Sequence, residues 1–212
     1  MLDKKIIKAI YANVVSHDDL RPVLNGIHFE ESRCYGTDGG ILVIYNVGSK
    51  ELADKTILQN GEPVDGRYPN VDSVIPKERE EYPHRIDLRE LHAACVYHQK
   101  KADANENDRI LIAHKGFYVR TLYRLLNVFL AAGQLSKAVM FKSDPSRATV
   151  IESKSLTAII MPVLVDGEIE SGVDSEREEG ESQFVSYENF INDYAFNHWR
   201  KPEPKGDMDW IK

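Results

Sequence analysis

Two periods of apolar residues divide this chain into helices and strands. Between residues 3 and 15 (DKKIIKAIYANVV) Ile6, Ile7, Ile10 and Val14 recur at helical spacing and predict a first helix. Lys4, Lys5 and Lys8 lie off that stripe, in turns where the helix dipole favours acids, so they can serve something outside the helix. A solvated face is the plainer reading. Ser16, His17, Asp18 and Asp19 end the helix. The stretch from Leu20 to Asn46 then reads as antiparallel strands. Leu24, Ile27 and Phe29 lead into a turn at Glu30, Glu31 and Ser32. Arg33, Cys34 and Tyr35 run on to Thr37-Asp38-Gly39-Gly40, where two glycines permit a tight turn. Residues 41–47 form a β-branched run fit for a buried strand. Residues 48–64 are short and polar, with one weak strand at 55–59 and no room for a helix before Asp65.

The second half repeats the alternation. Residues 77–85 (KEREEYPHR) are charged, contain Pro83 and read as a linker. Residues 87–101 predict a helix with Asp87 as its N-cap and Leu88, Leu91, Ala94, Cys95, Tyr97 and His98 on its apolar face. A polar loop and a strand at 109–113 follow. Residues 119–132 carry Leu122, Leu125, Leu126, Phe129 and Leu130, a strong helical period that Gly133 is placed to terminate. Segments 137–142, 148–153 and 156–165 predict three strands, with Asp144-Pro145-Ser146 as the first turn between them. From Asp166 to Glu181 eight acids stand against one arginine, a solvated segment. An aromatic stretch with Phe184, Tyr187, Phe190, Tyr194, Phe196, Trp199 and Trp210 closes the chain.

Composition narrows the class. The 212 residues are 42% hydrophobic and 29% charged, which fits one or two globular domains. No apolar run reaches the roughly 18 residues a membrane span needs, and nothing behind Met1-Leu2-Asp3 reads as a signal peptide. Two cysteines, Cys34 and Cys95, do not make a disulfide framework; a reducing cytoplasm is the expected compartment. The net charge of −7 argues against a generic nucleic-acid coat, while leaving room for a local basic face.

Three stretches, in order, carry a resemblance. LRPVLNGIHFE with its TDGG turn resembles the "RP-L-G-hydrophobic-F-E" strand and "ATDG" turn of the bacterial sliding-clamp family, the β subunit of DNA polymerase III. DGRYPN followed by Val74-Ile75-Pro76 resembles that family's inter-domain "DGRFPDY--VLP". AIIMPV at 158–163 resembles its final "VMPMRL" strand. The resemblance implies an α+β, DNA-clamp-like fold: antiparallel sheets with helices on one side, in two abbreviated units. These would span residues 1–76, truncated in its second half, and 86–165. The last 45 or so residues lie outside what the resemblance covers. The tail can fold over the pocket described next, mimic a partner, cap a ring interface, or simply pack on its own domain.

Function follows from the same resemblance. The family captures short partner peptides between the turn, the linker and the last strand; the matching positions are Thr37, Gly39, Leu42, Pro76, Ile159 and Met161. The family's basic residue before the leucine is absent, since Gly40-Ile41 stands there. Non-specific contact with encircled duplex would fall to cations on helices, with Lys4, Lys5, Lys8, Arg89, Lys100, Lys101, Arg120 and Arg124 as candidates. The expected partners are double-stranded DNA, replication or repair proteins bound through short peptides, and further copies of the chain. No membrane partner is expected. The alternative is a clamp-fold interaction or regulatory protein, of phage or mobile-element kind, that does not encircle DNA.

No catalytic motif stands out, so a non-enzymatic role without cofactor is expected. His92, Cys95 and His98 fall at i, i+3 and i+6, but i and i+6 diverge on a helix; a packing face explains them better than a metal site. Asp38 reads as turn chemistry rather than a general base.

Overall fold

The computed structural model describes residues 2–78, 80–81, 86–101, 104–112, 115–142, 148–163 and 184–199. The acidic segment 166–181, the turn 144–146 and Trp210 lie outside them.

Helix α1 (Lys4–Asn13) begins at Asp3, whose carboxylate accepts the Lys5 N–H at 2.8 Å and supplies the acid its first turn lacks. Ile6, Ile10 and Val14 are buried as the spacing predicts, with Tyr11 joining them. A 3-10 turn (Pro22–Asn25) replaces the expected start of the first strand, because Pro22 fixes a helical φ at its first position. Leu24 is nonetheless buried. Strands β1 (Ile27–Phe29), β2 (Cys34–Thr37) and β3 (Ile41–Tyr45) form an antiparallel meander, which β4 (Lys55–Ile57) and β5 (Pro63–Val64) extend from the β1 side.

Beyond it come β6 (Glu80–Glu81), α2 (Leu88–His98), β7 (Arg109–Ile112), β8 (Lys115–Tyr118), α3 (Val119–Ala131), β9 (Val139–Lys142), β10 (Thr149–Glu152) and β11 (Leu156–Ile160). Asp87 caps α2 through the Arg89 and Glu90 N–H groups. Gly133 takes φ +64° just past α3, a conformation that costs any residue with a Cβ. The charged stretch at 77–85 is more than a linker: β6 pairs with β9 at a sheet edge.

Strands from both sides of that stretch lie in one nine-stranded antiparallel sheet, in the order β5-β4-β1-β2-β3-β11-β10-β9-β6. The join is β3 against β11, with Leu42 opposite Ile159 and Ile41 opposite Ile160. Alternation along these two strands feeds two cores. Ile41, Val43, Leu156, Ala158 and Ile160 face the helix layer, where α3 lies between α1 and α2. Leu42, Ile44, Val150 and Ile159 face the opposite way and pack with Leu24, Tyr35, Tyr68 and Val71. Each fully buried Leu or Ile here contributes about 1.5–3 kcal/mol.

Residues 184–199 of the C-terminal aromatic stretch form regular structure. They supply β12 (Phe184–Ser186), which makes the one parallel pairing among the described residues, and helix α4 (Tyr187–Trp199). β12, β7 and β8 make a separate three-stranded sheet. α4 packs on α2 and β7, so the described part of the tail packs locally.

Candidate peptide groove and basic helix face

The TDGG turn is built by its own side chains. Thr37 Oγ1 donates to the Ile41 carbonyl at 2.6 Å and accepts from Gly39 N–H. Asp38 Oδ1 accepts from Gly40 and Ile41 N–H at 2.8 and 2.9 Å. Gly39 adopts φ +95°, which a side chain would strain. The Gly40 carbonyl then accepts from Met161 N–H at 3.0 Å, tying the turn to the end of β11.

Between this turn and the segment 69–74 lies an apolar cavity of about 200 Å³. Thr37, Gly39, Leu42, Ile159 and Met161, five of the six pocket positions, line it together with Leu24, Val71 and Val74. The sixth, Pro76, is buried and lines an adjoining trough that shares Asn70, Val74 and Met161 with the cavity. Val74 and Met161 are large hydrophobics left 50% and 48% exposed at the junction of the two. Arg21 stands at the rim, its Nη1 3.5 Å from where a Cβ on Gly39 would sit. A cation is thus present, from a different element than the missing residue before the leucine.

Sequence reasoning missed what holds the far wall. Arg33, on the way into β2, pairs with Glu30 at 2.6 Å and reaches Asp72 through two nitrogens at 2.8 and 2.9 Å. Asp72 belongs to a 3-10 turn (Val71–Ser73), so this fork pins Val71 and Val74 over the sheet. The Tyr35 hydroxyl donates to Glu30 at 2.9 Å. Hydrogen bonds from Arg33 hold both carboxyls below their ordinary values. The partners are 39 residues apart in sequence, and no local pattern signals the contact.

The eight candidate cations do not form one set. Lys4, Lys5 and Lys8 are exposed along α1, and Lys100 just past α2; among the described residues they make no ion pair. Arg89 is exposed and bonds back to Asp87 at 3.3 Å. Arg120 is exposed and pairs with Glu106 at 3.3 Å. Lys101 is engaged elsewhere: it pairs with Asp193 of α4 and lies over the Tyr97 ring. Arg124 is half-buried and pairs with Asp38 of the TDGG turn at 2.9 Å. It shares with Arg120, His17 and Gln99 a concavity at the start of α3.

His92, Cys95 and His98 also part company. His92 bonds to Asn127 at 2.9 Å, and Asn127 to Asn13 at 3.2 Å, a polar seam across α2, α3 and α1. Cys95 is fully buried, and His98 bonds to Asp108 at 2.7 Å. No group of three metal-ligating side chains converges among the described residues.

No protein-family model matches the chain, and no curated protein matches it. Solved structures do. The DNA polymerase III β chain of Streptococcus pneumoniae superposes with a TM-score of 0.59 at 14% identity, over 77% of this chain and 64% of its own. The sliding clamp of Bartonella birtlesii, solved bound to griselimycin, gives 0.57 at 16%, over 76% and 63%. The β clamp of Helicobacter pylori, solved bound to a DNA ligase peptide, gives 0.52 at 14%, over 76% and 62%. The chain therefore has the sliding-clamp fold, as its three motifs imply, and spans less than two thirds of the length of these clamps.

Proposed function

We propose that the chain is a non-enzymatic, clamp-like DNA tether that docks partner proteins through short peptides. The observation that carries this reading is the groove. Motif positions far apart in sequence line one apolar cavity, opened at its mouth by Val74 and Met161. A cavity of about 200 Å³ takes one or two large apolar side chains of an extended peptide, and adaptable methionine suits that use. The Helicobacter pylori clamp holding a ligase peptide supports the same use of the fold. Duplex DNA would lie against the exposed lysines of α1 and Lys100, with the exposed Arg89 and Arg120 as further candidates, through phosphate contacts that carry no sequence preference. We read the architecture as two abbreviated clamp units sharing one sheet.

The test is fluorescence anisotropy with labelled hexapeptides carrying a central Leu-Phe pair. Binding in the micromolar range is expected, weakened at least tenfold by Met161→Asp or Val74→Asp, both at exposed positions. Equal binding by the wild type and both variants would sink the groove reading.

A second reading, a clamp-fold interaction protein that does not encircle DNA, draws on the pairing of four candidate cations with the chain's own carboxylates. It predicts peptide capture without retention of duplex.

A further inference from the structure

The concavity at the start of α3 gathers hydrogen-bond donors that the fold itself leaves unspent. It encloses about 430 Å³ between the end of α1, the end of α2 and the first two turns of α3. Arg120 and Arg124 stand four residues apart, neighbours on one side of α3. That helix has neither an acid in its first turn nor a side-chain cap, so its dipole opposes cations there and favours an anion. Arg120 meets Glu106 at 3.3 Å, but both side chains are well exposed and such a pair yields readily. Arg124 gives one nitrogen, Nη2, to Asp38; the rest of its fork has no acceptor among the described residues. Ser16 is 6% exposed and lines the same space. Its Oγ accepts from Asp18 N–H at 3.1 Å, and its own hydrogen has no acceptor among the described residues. The Tyr123 hydroxyl and the side chains of His17 and Gln99 are likewise unbonded among them, while the Tyr123 ring stacks on His92 at 5.7 Å. Asp38 is the one carboxylate among the described residues of the lining. Both its oxygens are already engaged, by the turn amides and by Arg124.

We propose that this concavity is a binding site for a phosphate monoester of nucleotide size. Two guanidinium forks match a dianion with three terminal oxygens, and the Ser16 and Tyr123 hydroxyls complete its shell. A carboxylate, with two oxygens and one charge, leaves one fork unanswered. Inorganic phosphate fills only a small part of about 430 Å³, so the ester group has room in the same space, which has the size of a small-ligand site. The phosphodiesters of a duplex carry one charge each and lie on a convex rod, which suits the exposed lysines of α1 better than a recess. The inference uses neither the groove nor those lysines and stands independently of the peptide and duplex readings.

Isothermal titration calorimetry of the full chain with deoxyadenosine monophosphate tests it, at fixed ionic strength, with deoxyadenosine as the unphosphorylated control. One-site binding with a Kd of about 1 mM or tighter is expected for the monophosphate, and none for the nucleoside. Arg120→Gln, an exposed change, should weaken it at least about tenfold. Tyr123→Phe, which removes the hydroxyl and keeps the ring on His92, should weaken it about threefold. Arg67→Gln, at an exposed position outside the concavity, should leave it unchanged. No saturable heat below about 10 mM overturns the proposal. So does an equal loss with Arg67→Gln, which would make the effect one of net charge, or equal binding by deoxyadenosine, which would place the contacts on the base. An unphosphorylated duplex that displaces the monophosphate from wild type would assign the concavity to backbone diesters and overturn it too.

Discussion

Arg33 is the side chain on which the groove's far wall depends. Its guanidinium answers two carboxylates from separate elements, and its side chain is largely covered while that of Asp72 is 60% exposed. Charge-assisted bonds of this kind contribute about 1–3 kcal/mol each when buried and less when one partner is wet. Arg33→Ala is expected to destabilise the fold by about 1 kcal/mol and to weaken groove binding more than any exposed lysine does. The carboxyls of Glu30 and Asp72 titrate below their ordinary values because Arg33 bonds their ionised forms. Their contribution is therefore complete above the unfolded carboxyl values near pH 4 and is lost as pH falls through the lowered folded values. Urea melts of wild type and Arg33→Ala should differ at pH 7 and converge in acid, once the pH has fallen through the lowered folded values. A difference that persists in acid would assign the effect to packing of the arginine stem. At the same scale, burial pushes the Cys34 thiol up to about 12 and the Cys95 thiol higher still. Both should resist a thiol reagent at pH 8 in the native protein and react at once in denaturant.

Among elements, α1 meets β2 at close quarters. A Cβ on Gly36 would stand 2.9 Å from Ile10 Cγ2 and 3.1 Å from Val15 Cγ1, so the helix rests directly on the strand backbone. Gly36→Ala must push α1 outward, at a cost of about 1–3 kcal/mol by overpacking. Thermal melts check it; an unchanged midpoint would mean that α1 yields freely. How much of this was legible in sequence depends on distance along the chain. The stripe of α1, the Asp87 cap, the period of α3 and the turn glycines are local, and the sequence pattern places them within a residue or two. The β3–β11 join, the Arg33–Asp72 fork and the Arg124–Asp38 pair bring together residues that no local window contains. Helix α4 escaped for another reason. Phe190, Ile191 and Tyr194 mark little more than one turn of a stripe, behind a long acidic run that reads as solvated chain. The groove was legible only because the resemblance joined three motifs that physics alone would have left as a hairpin, a linker and a strand.

For the whole molecule, the sum of charges and their placement point in opposite directions. A chain of net charge −7 repels duplex DNA at long range, yet Lys4, Lys5, Lys8 and Lys100 stand exposed with no ion pair among the described residues. Arg124 and Lys101, by contrast, are engaged inside the fold, one bracing the TDGG turn and the other holding α4. Phosphate contact should then rest mainly on α1. Each phosphate neutralised steepens the dependence of log affinity on log salt by about 0.9. Replacing Lys4, Lys5 and Lys8 by Gln should therefore make the slope shallower by about 2.7, three contacts at about 0.9 each, and weaken binding alike for every duplex sequence. Arg124→Gln should leave that slope unchanged while reducing peptide capture, because its loss frees Asp38 and the wall of the groove. Titrations of a labelled 30-base-pair duplex at several salt concentrations separate the two. A slope insensitive to the three lysines would move the DNA off α1 and favour the reading in which the chain docks peptides without holding duplex. A slope that falls with Arg124→Gln as much as with the lysines would make Arg124 a phosphate contact and its bond to Asp38 incidental.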